Sequence, residues 1–284
     1  MARGFNTTLG VATTDRIVTT LTTNAAQRSY SIWAYWRGAG GGGIPQMFMK
    51  PWTIGFQWKD SLNVVQFGYG FSTTPGDWTV PEPSHDAWHH FLVVYDSSSV
   101  SNNPVIYIDG VSQTVTETRT PVGTADTHTE AFYIGNQDNL AACFDGSLAE
   151  FAVWNALLTS GNATSLAAKT LPTAIGSPVC YFRIFGDDSP ETDATGNGYT
   201  GTVTGTAKTA HPIGVTTQEG YRWRLDDGTE TTATWAANQD TGIVAPANSV
   251  RRLRLVLDTS GDANAANYQL EYKEANAANW TVIS

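Results

Sequence analysis

Short apolar or alternating runs, separated by turn-forming residues, recur along most of the chain. The turns include GAGGGG at 38–43, TTPGD at 73–77, IDG at 108–110, FDG at 144–146 and GNG at 196–198. The runs between them are rich in Val, Ile, Tyr, Trp and Thr, which favour strands. This pattern predicts an all-β sandwich with strands at 30–36, 47–49, 54–58, 64–68, 88–95, 105–108, 131–134, 147–154 and 179–185. One short surface helix is predicted over 159–169, capped by Thr159 or Ser160.

The pattern changes near residue 210. YRWRLDD, RRLRLVLD and NYQLEYKE each alternate apolar with polar residues, which is typical of strands with one buried and one solvated face. We therefore predict two domains, residues 1–210 and 211–284. The second would be a small antiparallel immunoglobulin-like sandwich whose arginines face solvent. Its core would contain the apolar residues of these runs together with two tryptophans, Trp235 and Trp280.

WHHFLVVYD places His89 and His90 next to each other in a predicted strand. Successive side chains of a strand point to opposite faces, so the two histidines could share a metal only across a bulge. Both faces of this strand are mostly apolar, which indicates a strand covered on both sides. We interpret the two histidines as residues of the sheet, with metal binding as the alternative.

Composition and charge argue against several classes of function. The net charge of −10 argues against binding to nucleic acid or to an anionic membrane surface, because both require a basic surface. No apolar run is long enough to insert into a membrane. The start, MARGFNTTLG, lacks the apolar segment of a classical signal peptide. Cys143 and Cys180 lie in strand-like runs and are expected to be buried thiols.

Several blocks resemble laminin G-like, concanavalin A-like domains. WHHFLVVYD followed by VIYIDGVSQ is similar to the central hairpin of that family. YSIWAYWR resembles an early strand, and FYIGNQDNLAACFDGSLAEFAVWNALLT resembles a later block. The resemblance covers about residues 1–208 and implies a concanavalin A-like jelly-roll sandwich. Because this fold serves lectins, adhesion modules, glycosidases and structural proteins, it does not by itself define a function.

A further block, YFRIFGDDSPETDATGNGYTGTVTGT, resembles a segment that many family members carry nearer their start. The first and last strands of a jelly roll lie close together, so this edge tolerates permutation. A tight turn is the simpler interpretation of its polar residues. Calcium is the alternative, because hard cations prefer carboxylate and carbonyl oxygens and some family members hold calcium at the rim. The candidate ligands are Asp187, Asp188, Asp193 and Asn197; no other cofactor is expected.

The glycosidases of this fold carry paired carboxylates on one strand, in E-x-D-x-x-E or E-x-D-x-E patterns. Neither pattern occurs here, and Glu150 stands alone in SLAEFAVW. We therefore expect a protein that is not an enzyme. A glycosidase that uses Glu150 with an unfamiliar partner remains the alternative.

Sugar binding needs exposed aromatic rings that stack on pyranose faces, with polar side chains for the hydroxyls. The candidates are Trp52, Trp58, Tyr69 and Trp78. Trp52 follows Pro51 and Trp78 follows PGD, so both border turns.

The C-terminal alternating runs resemble small β-modules of tailed-phage virion proteins. This resemblance implies a non-catalytic virion surface protein, such as a capsid decoration, head-fibre or tail-fibre component, made in the host cytoplasm. Its expected partners are other virion proteins or further copies of the chain, and host surface polysaccharide. The alternative is an extracellular carbohydrate-binding or adhesion module of a larger secreted bacterial protein.

Overall fold

The computed structural model describes residues 2–6, 14–38, 44–186, 189–213, 215–229, 231–244, 246, 249–260, 271–272 and 281–282. The chain forms two compact units, Met1–Pro212 and Ile213–Ser284.

Strands make up nearly all of the regular secondary structure of the first unit. They are β1 (Ala2–Phe5), β2 (Arg16–Thr19), β3 (Gln27–Trp36), β4 (Gln46–Lys50), β5 (Ile54–Lys59), β6 (Val64–Tyr69), β7 (Gly76–Pro81), β8 (Trp88–Asp96), β9 (Val105–Ile108), β10 (Val111–Ser112), β11 (Thr116–Arg119), β12 (Tyr133–Ile134), β13 (Gly146–Trp154), β14 (Cys180–Phe182), β15 (Glu191–Thr192), β16 (Thr200–Thr204) and β17 (Ala207–Thr209). Helix α1 spans Ser160–Ala167, and short 3-10 helices span Asp60–Leu62 and Pro172–Ala174.

These strands form two antiparallel sheets. The first has the order β10-β9-β8-β3-β13-β1-β17, and β14 also pairs with β13. The second has the order β11-β7-β6-β5-β4-β12-β2-β16-β15. Aromatic rings from the two sheets meet in the core, where Tyr30 lies 5.5 Å from Phe48 and Phe56 lies 5.6 Å from Phe91 between ring centroids. The predicted β-sandwich is thereby confirmed.

Helix α1 covers part of the outer face of the first sheet. Its Ala163 and Leu166 pack with Leu92 and Trp154 of the sheet in a second apolar cluster. Thr159 caps the helix through a reciprocal capping box with Asn162, which satisfies amide groups at its first turn. Strand β8 is consequently buried on both sides, as its doubly apolar sequence predicts.

The ends of the first unit pair with each other. β17 pairs with β1, and β16 pairs with β2. A buried ion pair joins the same regions, with 2.5 Å between the Arg3 guanidinium and the Glu191 carboxylate. The late block of the sequence therefore lies beside the first strands, as expected for a permuted jelly-roll edge.

In the second unit, β18 (Val215–Leu225) pairs with β19 (Arg251–Ser260), and β20 (Glu271–Tyr272) pairs with β21 (Thr281–Val282). The prediction of a wholly solvated arginine face is wrong at Arg224, which is 4% exposed. Its guanidinium donates to the Ala233 carbonyl and lies over the Trp235 ring. Trp235 is partly exposed because Arg222 and Arg224 cover it instead of an apolar core. Trp280 lies outside the described residues.

Cys143 and Cys180 are buried free thiols, as predicted. Burial raises the pKa of the Cys180 thiol above its usual range. No helix in the described part of the chain is long and apolar enough to cross a membrane.

Candidate functional site

Trp52 is an exposed aromatic residue in the turn between β4 and β5. Its side chain is 76% exposed and its φ is 63°. The turn is closed by a 3.1 Å hydrogen bond from the Thr53 amide to the Lys50 carbonyl. A bulky residue with positive φ is unusual, because the left-handed region costs about 1–2 kcal/mol for an L-residue. Neither the exposure nor the backbone conformation of Trp52 favours stability.

Trp52 borders a groove of about 310 Å³ on the outer face of the second sheet. Gln57, Gln66, Asp77 and Arg119 contribute polar side chains to its lining from β5, β6, β7 and β11. They alternate along the strands with the inward-facing core residues, so the sheet itself fixes their positions. We call this surface the Trp52 groove.

The polar side chains of the Trp52 groove retain hydrogen-bonding capacity. Gln57 accepts a 2.6 Å bond from the Gln46 amide, which leaves its own amide group to donate. Gln66 is only 6% exposed, yet its side chain makes no hydrogen bond to any residue that the structure describes. Arg119 pairs with Asp77 at 2.5 Å, with Asp77 mostly buried and Arg119 half exposed. The groove can therefore donate to and accept from several hydroxyl groups.

Glycines keep the floor of the Trp52 groove flat. Gly55 and Gly68 are cross-strand partners, and Gly68 lies opposite Asp77. A Cβ atom on Gly68 would lie 2.9 Å from Asp77 Oδ1. Glycine inside a strand often marks the close approach of a ligand. The strand glycines in IGFQWK and VVQFGYG are a sequence signal for this site, although they were not among the predicted site residues.

Three of the sugar-stacking candidates lie in the core. Trp58 and Trp78 are 0% exposed; Trp58 stacks on Trp36 at 5.7 Å, and Trp78 donates to Asn103 Oδ1 at 2.7 Å. Tyr69 is 4% exposed. The rings of Trp58 and Trp78 cannot stack on a sugar, so these two assignments are wrong. Tyr69 is among the residues that line the Trp52 groove.

The calcium candidates form an ordinary turn where the structure describes them. Asp193 Oδ1 accepts bonds from the Tyr181 and Thr195 amides, and Oδ2 accepts from the Thr195 hydroxyl at 2.7 Å. Asn197 donates to the Val179 carbonyl. Asp187 and Asp188 lie outside the described residues. Within the part that is described, no group of three or more His, Cys, Asp or Glu side chains could hold a metal ion.

Glu150 is buried at a bulge in β13. Its φ is 56°, and the pairing of β13 with β3 shifts register between Ala149 and Ala152. Tyr181 donates its hydroxyl to the carboxylate, and His211 Nε2 lies 3.2 Å from the other oxygen. Burial raises the pKa of the Tyr181 hydroxyl, and the negative charge of Glu150 and the hydrogen bond to it raise that pKa further. At 1% exposure, this carboxylate lines neither of the two cavities described for the molecule.

The family Laminin_G_3, described as the concanavalin A-like lectin/glucanases superfamily, matches residues 6–163. The chain belongs to this family. The laminin G-like, concanavalin A-like fold expected from the sequence is confirmed, and the first unit is a lectin-like domain. No curated protein matches the chain.

Matches to solved structures come from several organisms. A putative carbohydrate binding protein from Bacteroides ovatus matches with a TM-score of 0.56 and 16% identity, over 75% of this chain and 60% of that chain. A heptameric SAP-like pentraxin from Limulus polyphemus matches with a TM-score of 0.44 and 14% identity, over 72% and 93%. Domains LG4-5 of the mouse laminin alpha1 chain match with a TM-score of 0.42 and 10% identity, over 80% and 52%. At 16% identity, the match to the Bacteroides ovatus protein concerns the fold alone, and this chain covers 60% of that protein.

Proposed function

We propose that the lectin-like domain binds polysaccharide in the Trp52 groove, without catalysis. Trp52 carries the proposal, because an exposed indole held in a left-handed backbone conformation has a cost that folding does not repay. Unfavourable backbone conformations of this kind concentrate at ligand-binding sites. The indole would stack on the apolar face of a pyranose ring.

The polar residues of the Trp52 groove supply the second requirement of sugar recognition. Gln66 lines the groove and its side chain makes no hydrogen bond to a described residue, so its amide group can bond a ligand hydroxyl. The Asp77–Arg119 pair offers both an acceptor and donors beside it. The putative carbohydrate binding protein of similar fold is consistent with this class of ligand.

The proposal is tested by binding of the purified chain to a panel of neutral and acidic bacterial surface polysaccharides, first with calcium and then with EDTA. Trp52→Ala should lower the affinity at least tenfold, or about 1.4 kcal/mol, with an unchanged melting temperature. Leu62→Ala removes another exposed apolar side chain, outside the groove, and should have no effect. Binding should survive EDTA because the described Asp193 oxygens are already occupied. Wild-type affinity in Trp52→Ala would exclude the groove.

We further propose that the chain acts on the surface of a phage virion. The alternating strands of the second unit support this role through their resemblance to small virion β-modules. Weak binding at each copy would be strengthened by display of many copies. The alternative is a module of a secreted bacterial protein. Mass spectrometry of purified virions and of culture supernatant distinguishes the two locations.

A further inference from the structure

A second cavity, of about 430 Å³, lies at one end of the lectin-like domain. Its walls come from both sheets, at the start of β3 and at the ends of β6 and β8, and from the segment 123–127. We call it the end cavity and define it by Asn24, Phe71, Ser98, Asp126 and Thr127. Its volume lies within the range typical of ligand sites.

The end cavity adjoins the Trp52 groove. Tyr69 lines both, while Gly70 lines the groove beside Asp126 of the end cavity. A Cβ atom on Gly70 would lie 2.3 Å from the Trp52 carbonyl oxygen and 2.6 Å from Asp126 Oδ2. Any residue larger than glycine would clash at this point, so Gly70 lets the Trp52 turn and the Asp126 segment lie close together.

The wall of the end cavity is held in place by backbone hydrogen bonds. The Asp126 amide donates to the Gly70 carbonyl at 3.0 Å, and the Ser72 amide donates to the Thr124 carbonyl at 2.8 Å. Phe71 and Ala125 form an antiparallel bridge between these segments. A ligand would therefore enter a preformed cavity and would not have to order the segment on binding.

The lining of the end cavity favours a neutral, hydroxyl-rich ligand. The Asp126 carboxylate is partly buried and makes no hydrogen bond or ion pair with the described residues. Carboxylate oxygens accept bonds from neighbouring hydroxyls, whereas they repel carboxylates, phosphates and sulfates. The lining also includes the hydroxyl-bearing Ser98 and Thr127 and the aromatic Phe71.

We propose that the Trp52 groove and the end cavity form one extended site for consecutive neutral sugar residues of an oligosaccharide. One sugar stacks on Trp52, and a following sugar enters the end cavity, where Asp126 accepts its hydroxyls. This inference rests on the proposed function, and it adds that affinity depends on the length and the neutrality of the glycan.

The probe is a size-graded series of one, two, four and six sugar residues, released by partial acid hydrolysis from each panel polysaccharide that the wild-type chain binds. Affinities are measured by calorimetry for the full chain and for Asp126→Asn. Wild-type affinity should rise at least tenfold from one to four residues. Asp126→Asn should keep the affinity for the single sugar within twofold and lose about tenfold for the tetrasaccharide. Glu130→Gln, a nearby exposed carboxylate outside both cavities, is the matched control.

The outcomes separate the two proposals. Trp52→Ala should weaken binding at every length, so an unaffected Trp52→Ala overturns the proposed function. A length dependence that persists unchanged in folded Asp126→Asn overturns the extended site and leaves the Trp52 groove intact. Affinity that is the same for one and six residues overturns the extended site, as does binding to acidic polysaccharides alone. Binding to no polysaccharide overturns both.

Discussion

His90 shows how a single strand position fixes the chemistry of a residue. It is fully buried, bonds through Nε2 to the Ser31 hydroxyl at 2.9 Å and packs against Trp33. His89 lies on the opposite face of β8, where it contacts Asp109 at 2.6 Å. The alternation of side chains along the strand separates the two histidines. Burial lowers the pKa of His90 to about 3, which keeps its ring neutral.

Replacing His90 with Gln should make the stability of the protein less sensitive to acid. The pKa of His90 is about 6.5 when unfolded and about 3 when folded. Between these values the unfolded state binds a proton that the folded state does not, so wild-type stability falls as the pH falls through this window. Relative to pH 7.5, the His90 contribution to this loss is about 2–3 kcal/mol at pH 4.5.

Urea denaturation at pH 7.5 and 4.5 measures this effect. His90→Gln should be less stable than wild type at pH 7.5, because packing against Trp33 is lost, and the difference should shrink or reverse at pH 4.5. Polysaccharide binding should be unchanged. His128→Gln, at an exposed histidine, is the control. An identical pH dependence in His90→Gln and wild type would contradict a neutral buried ring.

The aromatic residues show which parts of the site could be predicted. IGFQWK and GDWTVP alternate, and this places Trp58 and Trp78 on the same faces as the apolar Phe56 and Val80, which are core residues. Nearness to a turn was a weaker guide than strand alternation. Trp52 lies outside a strand, so its turn position did indicate exposure. Its positive φ has no sequence signal, because Pro-Trp-Thr is compatible with several turn types.

At the scale of elements, β13 makes three strand pairings in the first sheet. It pairs with β1, β3 and β14 and begins at Gly146. The Cβ position of Gly146 is 1.8 Å from the Tyr35 carbonyl oxygen, so the two backbones approach more closely than any side chain allows. The FDG sequence predicted a turn at this point, but not that the glycine starts the central strand. The bulge at Glu150 also lacked a signal, since SLAEFAVW is compatible with an unbroken strand.

Gly146→Ala should destabilise the protein by about 3 kcal/mol or more, because the added methyl group overlaps a backbone atom that cannot move alone. The matched control is Gly196→Ala. Gly196 has a φ of 82° with nothing within 4 Å of its Cβ position, so its cost should be about 1 kcal/mol, from backbone conformation alone. Chemical denaturation compares the two variants. An equal loss of stability in the two variants would mean that β3, which carries Tyr35, shifts to accommodate the added methyl group.

At the scale of the whole molecule, the late block closes the lectin-like domain. The resemblance of 181–206 to an early family segment indicated this closure, and the pairing of β16 with β2 agrees with it. The strands that the sequence did not predict, β1, β2, β7, β10, β11 and β15–β17, are mostly short or rich in Thr, Gly and charged residues. Such strands depend on their neighbours in the sheet more than on their own pattern.

The division of the chain leads to a prediction about truncation. A fragment of residues 1–212 keeps β15–β17 with their pairing to β1 and β2, so it should unfold cooperatively and bind polysaccharide like the full chain. A fragment of residues 1–186 loses these strands and Glu191. The edges of β1 and β2 would then be unpaired and exposed, and Arg3 would lose its 2.5 Å ion pair, so this fragment should be much less stable than 1–212.

Scanning calorimetry with polysaccharide binding tests both fragments. Arg3→Met in the 1–212 fragment separates the ion pair from strand pairing, because it removes the ionic partner of the buried Glu191 while keeping the strands, at a cost of about 3–5 kcal/mol. It should fall between the two fragments in stability. A stable, cooperative 1–186 fragment would show that closure by the late strands is dispensable, and failure of 1–212 to fold would show that the lectin-like domain depends on the second unit.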